Sequence, residues 1–388
     1  LRSGASLREP CDRVLTTMLG VRSGMATLIA ASLCICAAAG CEGGARTQDG
    51  AAPTAPVATS AGRSHVVFVA SGRTETTLPS HKLPIDLAAN AQGTAFSLKT
   101  LNGSARSVYF ARRAGAGYRA IASADPGWVL GRIAAAGPWV LWVEQDHVQS
   151  NPADGFRWRL EGWNALTRER RSIAESDEPT QIAPGVSGTR AAIVYSVYNG
   201  ITEQTSDFVR YEFRTGRAKV IASGLPANQI AFDGRRALTT MTESIGDHPG
   251  GEHSDVYELT NDGAKPVTHD NHSASPQLAN ETLLWVTRAA VMAQRGSKER
   301  PIRIYAGDIN APSLGKTFVV DVTNRSGQYA GKVWTIEPSP KAQWLAEPAG
   351  MHTFSGVVAS GPWVSWVSAP RGDPMRGSVL VSERLRPS

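Results

Sequence analysis

From about Ser64 to the end of the chain, apolar positions fall in short runs rich in Val, Ile, Trp, Tyr and Phe, each bounded by Gly, Asp, Asn or Pro. Runs of that length between turn formers read as β-strands. No stretch of 12 or more residues keeps a 3.6-residue period. The nearest, GWNALTRERRSIAE from Gly162, reads as strand, turn and strand. The expected class is all-β.

One run is stated twice. GPWVLWV (Gly137 to Val143) returns as GPWVSWV (Gly361 to Val367), with Ser365 in place of Leu141. In the first copy Trp139, Leu141 and Val143 share one side of a strand and Val140 and Trp142 the other. Both sets are apolar, so the strand needs cover on both faces. The copies are expected to be the same inner strand of two repeat units. Weaker echoes lie between them: QIAPGVSGTRAAIVYS at Gln181, QIAFDGRRALTTMTE at Gln229 and QLANETLLWVT at Gln277 open a unit. YEFRTGRAKVIAS at Tyr211 and YELTNDGAKPVTH at Tyr257 close one.

The turn residues Gly93, Gly137, Gly188, Gly234 and Asn280 are 44, 51, 46 and 46 positions apart. That period belongs to four-stranded β-propeller blades. The 81 positions from Asn280 to Gly361 hold IRIYAGDI, KTFVVDVT and GKVWTIEP, either strands inserted in one blade or one further blade. Six blades is the favoured count and seven the next. The ring should close by pairing PWVSWVS and SVLVSERL with an N-terminal strand HVVFVAS (His65 to Ser71). A pair of β-sandwiches would not account for a regular period.

FDGRRALTTM followed by VYELTNDGAKPVTH resembles the blades of TolB-like propellers, in which a Pro-Asp-Gly turn precedes a hydrophobic strand. Phe232-Asp233-Gly234 approaches that signature, and the other blades lack its Asp. The resemblance implies architecture over roughly 64 to 388, and fold does not fix function.

The N-terminus has a different pattern. All four cysteines, Cys11, Cys34, Cys36 and Cys41, precede residue 42, and MATLIAASLCICAAAGC from Met25 follows Arg22 with no charge before Glu42. This apolar core has the length of a signal-peptide hydrophobic region and is too short for a membrane span of ~20 residues. Small residues leading into Cys41 resemble the lipobox of bacterial lipoproteins, with Ala38 where Leu is usual. The resemblance implies diacylation of Cys41, export, and anchorage on the extracytoplasmic side of a membrane. An ordinary secretory signal cleaved near Ala39 is the alternative. Residues 1–40 are thus read as a signal peptide, with 1–17 an extension upstream of Met18. The Ala-, Pro- and Gly-rich stretch 41–63 is read as a flexible tether, and 64–388 as the propeller.

Composition adds exclusions. The chain has 388 residues, 40 Lys and Arg against 34 Asp and Glu, and no dense basic run. Nucleic acid, which needs clustered cations, is therefore not an expected partner. GAGYRA (Gly115 to Ala120) matches a dinucleotide-binding glycine pattern by letters, but no helix follows. Gly-x-Ser-x-Gly, P-loop, His-Glu-x-x-His and EF-hand sequences do not occur. Trp139, Trp142, Trp285, Trp363 and Trp366 read as packing between blades, leaving Trp128, Trp158, Trp163 and Trp344 open as a sugar-stacking surface.

The densest polar constellation is GDHPGGEHSD (Gly246 to Asp255) with THDNHS (Thr268 to Ser273). By strand order the first joins the second and third strands of a blade, and the second leads to the next blade, so both open on one face. There His248, His253, His269 and His272 could meet Asp247, Glu252, Asp255 and Asp270. Imidazole and carboxylate suit a divalent metal such as Zn or Ni, although no cofactor is required. Such a pair also suits acid–base work on a glycan or ester. QDHVQSNPADG (Gln145 to Gly155) and ESDEP (Glu175 to Pro179) lie on the same face and make it acidic, which favours a cationic or hydroxyl-rich ligand. The preferred expectation is a monomeric, lipid-anchored module that binds a protein or envelope polysaccharide. The alternative is a metal-assisted hydrolase or lyase acting on carbohydrate.

Overall fold

A computed structural model describes residues 67–388, apart from 101–102, 114, 116, 147–154, 200–204, 228, 245–251, 308 and 372. Cys41, the other cysteines and the tether lie outside the described residues. Ser64–Ser388 forms one compact unit.

The first strand, β1 (Phe68–Thr77), is set aside for the last blade. Blade 1 is β2 (Leu83–Ala89), β3 (Gly93–Lys99), β4 (Ser107–Arg112) and β5 (Tyr118–Ser123). Blade 2 is β6 (Trp128–Ala136), β7 (Trp139–Asp146), β8 (Trp158–Asn164) and β9 (Arg170–Glu175). Blade 3 is β10 (Val186–Gly188), β11 (Ala192–Tyr198), β12 (Ser206–Glu212) and β13 (Ala218–Leu225). Blade 4 is β14 (Ala231–Phe232), β15 (Ala237–Ser244), β16 (Glu252–Thr260) and β17 (Gly263–Pro266). Blade 5 is β18 (Ala274–Ala279), β19 (Thr282–Val286), β20 (Ala290–Arg295) and β21 (Ile302–Ala306). Blade 6 is β22 (Ser313–Leu314), β23 (Phe318–Arg325), β24 (Gln328–Thr335) and β25 (Ala342–Trp344). Blade 7 is β26 (Met351–Ser360), β27 (Trp363–Pro370) and β28 (Val379–Pro387), with β1 as its fourth strand.

The described strands thus make seven four-stranded antiparallel units, the second of the two counts expected. The concealed unit is blade 6. Its first turn, at Gly315, comes 35 positions after Asn280 and 46 before Gly361. The first strands, β2, β6, β10, β14, β18, β22 and β26, neighbour one another in order and return from β26 to β2, which closes the ring. Where β6 and β10 meet, Gly188 pairs in parallel with Ala136. Elsewhere side chains bridge the gap: the Ser187 and Ser313 hydroxyls accept from the N–H groups of Phe232 (3.0 Å) and Ala359 (2.9 Å).

Every interface between neighbouring blades contains its own hydrophobic cluster, including the one between blades 7 and 1. This explains the repeated motif. Val140 and Trp142 pack toward blade 1, whereas Trp139, Leu141 and Val143 pack toward blade 3. In the second copy Val364 and Trp366 pack toward blade 6 and Val367 toward blade 1. Both copies are inner strands, as expected: β7 and β27 are the second strands of their blades, hydrogen-bonded on both edges and covered on both faces.

The strand pattern sorts the connections onto two faces. Turns between first and second strands share a face with turns between third and fourth strands. Within a blade the two are hydrogen-bonded, as in Arg113 N to Gln92 O (2.9 Å), Ala165 N to Pro138 O (2.9 Å), Phe213 N to Ala191 O (3.0 Å) and Gly296 N to Glu281 O (2.8 Å). The remaining connections, second to third strand and blade to blade, form the opposite face.

Candidate functional site

The constellation expected to meet falls on that opposite face, at blades 4 and 5. His253 and Asp255 lie on β16, and His269, Asp270 and His272 lie in the connection from β17 to β18. Asp247 and His248 lie outside the described residues, and Glu252 is the first residue of β16. Backbone bonds seat the connection against β16: Ser254 N donates to Asn271 O (3.1 Å) and Ser273 N to Ser254 O (2.8 Å). The His253 and His272 rings consequently stand edge to face, 6.2 Å between centroids.

The carboxylates are occupied in building this connection. Asp255 is buried and accepts from the Thr268 hydroxyl (2.7 Å) and the Asp270 N–H (3.2 Å). Asp270 accepts from His272 N–H (3.0 Å) and the Ser273 hydroxyl (2.8 Å). Among the described residues no three His, Cys, Asp or Glu side chains converge as metal ligands.

The same device recurs around the face. Asp321, fully buried, accepts from Asn310 N–H (3.1 Å), Ala311 N–H (2.9 Å) and the Tyr305 hydroxyl. Burial pushes its carboxyl up, and those hydrogen bonds oppose the shift. Glu347 accepts from the Trp366 indole (3.2 Å) and the hydroxyls of Ser368 (2.5 Å) and Thr353. Each of these acids fastens a blade-to-blade connection to a strand.

What remains free lines two clefts. One, of about 610 Å³, lies between blades 4 and 5 and is lined by His269, Asp270, His272, Trp285, Arg288 and Gln294. The Trp285 indole N–H, on the buried side of this wall, has no hydrogen-bond partner. The other, of about 580 Å³, lies between blades 6 and 7 and is lined by Arg325, Tyr329, Glu347, His352 and Arg371. There the His352 Nδ1 is buried and unpartnered.

The sequence reading missed Trp285 and Arg288, because they come from the following blade and no local motif marks them. It also missed a broader pattern. Among the described residues all five histidines, His81, His253, His269, His272 and His352, lie in connections of this face or at the second residue of the strand that follows. His65, His147 and His248 lie outside the described residues. Assigning each connection to a face before searching for motifs would have found them. Among the described residues its connections hold six Lys and Arg and six Asp and Glu, an even balance.

The tryptophans left open for sugar stacking are largely covered by cations. Arginines sit over Trp128 (Arg159, 4.1 Å), Trp163 (Arg119, 5.4 Å) and Trp344 (Arg325, 5.1 Å). Trp158 is buried between blades 2 and 3.

A closed ring of four-stranded units with its unrepeated connections gathered on one face defines a β-propeller, and solved structures agree on the fold. The β-propeller domain of the Trilobed protease from Pyrococcus furiosus matches with a TM-score of 0.59 at 8% identity, covering 80% of this chain and 96% of that one. A prolyl endopeptidase matches with a TM-score of 0.53 at 11% identity, over 79% of this chain and 50% of that one. TolB from Acinetobacter baumannii, a representative of the propellers resembled at Phe232-Asp233-Gly234, matches with a TM-score of 0.42 at 14% identity, over 71% of this chain and 64% of its own. No protein-family model matches the sequence, and no curated protein matches it.

Proposed function

We propose that the chain is an exported, lipid-anchored propeller that binds a protein or envelope polymer through the histidine-bearing face. One observation carries this reading: Asp255, Asp270 and Glu347 are bound into the connections as hydrogen-bond acceptors, while imidazole, indole and guanidinium groups are left lining the clefts. Groups fixed in this way give a shaped, pre-organised recognition surface. A carboxylate already accepting two or three hydrogen bonds is a weak base and a poor candidate for acid–base work. The lipid anchor rests on the stretch before Cys41.

The test has two arms. Elemental analysis of residues 64–388 should find no stoichiometric metal. Metal present in the wild type and lost in the His248→Ala, His269→Ala variant would replace this reading by the metal-assisted enzyme. Separately, Cys41→Ser should release the protein from membranes under a high-salt wash. Retention would overturn the anchor.

A further inference from the structure

The face opposite the clefts carries an excess of cations. Its turns hold eleven Lys and Arg against six Asp and Glu. Arg168, Arg190, Arg214, Arg217, Lys316 and Lys341 are exposed there, and none has an ion-pair partner among the described residues. Among the described residues the most exposed large hydrophobic one, Leu166 at 59%, lies in one of these turns. Val69, at 49%, lies one residue from the start of β1, and Val220, at 49%, lies near the start of β13. Both strand starts are at this face.

The chain also enters the ring here. The Val67 carbonyl accepts from Ser388 N–H (3.2 Å), and Val67 N–H donates to the Gln343 side chain (3.0 Å) just beyond the turn 336–341.

We infer that the basic face docks on anionic lipid headgroups, with Leu166 at the boundary and the cleft-bearing face turned away from the bilayer. Lysines and arginines near a negatively charged leaflet are attracted within a Debye length, and an exposed leucine among them adds apolar contact. The placement gives the excess of cations a use: the basic surface meets phosphate, and the cleft-bearing surface is presented to a partner. The inference shares only the membrane with the proposed function and does not depend on what occupies the clefts.

The test object is residues 64–388, which contain every described strand and close the ring through β1 and β28. It lacks Cys41, so its failure would leave acylation untouched, and a failure of acylation would leave this result untouched. The fragment should sediment with vesicles of phosphatidylcholine and phosphatidylglycerol at low salt, be released at high salt, and ignore phosphatidylcholine alone. Arg214→Glu, Arg217→Glu and Lys316→Glu together should weaken binding by more than about tenfold. Arg288→Glu with Arg371→Glu, on the other face, should change it by less than about twofold, with unaltered melting of both variants. Absence of binding to anionic vesicles by the folded fragment, or equal loss in the two charge reversals, would overturn the proposal.

Discussion

Gln343 of blade 6 clasps the backbone at Phe68 of blade 7. Its Oε1 accepts from Val67 N–H (3.0 Å) and Phe68 N–H (2.9 Å), and its Nε2 donates to the Phe68 carbonyl (3.2 Å). Phe68 in turn packs edge-on against Phe318, 5.8 Å between ring centroids. The N-terminal strand is thereby held both by β28 and by the preceding blade.

Gln343→Ala should lower stability by about 1–2 kcal/mol, since it removes this clasp from a partly buried site. Removing residues 64–77 should do far more, exposing β28 as an open edge and producing aggregation. Chemical denaturation and light scattering would show both effects.

The two copies of Gly-Pro-Trp should answer differently to the same substitution. Gly137 and Gly361 both have φ of 57°. A Cβ on Gly137 would lie 2.6 Å from the Arg190 backbone, whereas one on Gly361 meets nothing within 4 Å. Gly361→Ala should cost about 1–2 kcal/mol from backbone strain alone. Gly137→Ala should cost about 3 kcal/mol or more, because the β6 and β10 blades must separate. Equal costs would show that the close approach at Arg190 is not rigid.

Ser365 replaces Leu141 for a reason in the neighbouring blade. Its hydroxyl accepts from Arg113 Nη1 (2.7 Å) and lies 2.7 Å from Thr94 Oγ1 and 2.9 Å from Ser382 Oγ. Burial pushes the Arg113 guanidinium down to about 10, and it sits 4.8 Å above Trp363. Ser365→Leu, which restores the other copy, should destabilise by about 2–4 kcal/mol. Arg113→Met in the same chain should recover part of the loss, because no buried cation is then left without its acceptor.

Much of the ring was legible because its physics is local. The alternation of Val140 and Trp142 against Trp139 and Leu141 shows two covered faces, and turn chemistry at Gly234 and Asn280 shows the period. What was not legible is blade 6, whose first strand β22 is only two residues long and carries little pattern. At the candidate site, the face on which 267–273 lies follows from strand order. The engagement of Asp255 by Thr268 depends on how β16, β17 and the connection after β17 fold together, and that information is spread over many residues.

Asp86, on the innermost strand β2, gives the ring a pH signature. Asp86 keeps part of its side chain open to solvent, yet desolvation by the strands around it pushes its carboxyl up to about 6, against the attraction of Arg132 and Lys99. A folded value above the unfolded one means that folding favours the protonated form. Stability should therefore fall as pH rises from the ordinary carboxylate range to about 6, and this contribution should be level above that. Asn tolerates the φ of 48° at this position. Asp86→Asn should remove the slope and melt higher than wild type at neutral pH. An unchanged slope would show that another group titrates there.

The central claim is that the histidine-bearing face is the recognition surface. Hydrogen exchange on residues 64–388, alone and with a lipid-depleted envelope fraction, tests it most directly. The account predicts slowed exchange in 267–273, 287–289 and 345–352, with 213–217 and 336–341 unchanged. Protection confined to the latter turns, or none anywhere, would contradict it.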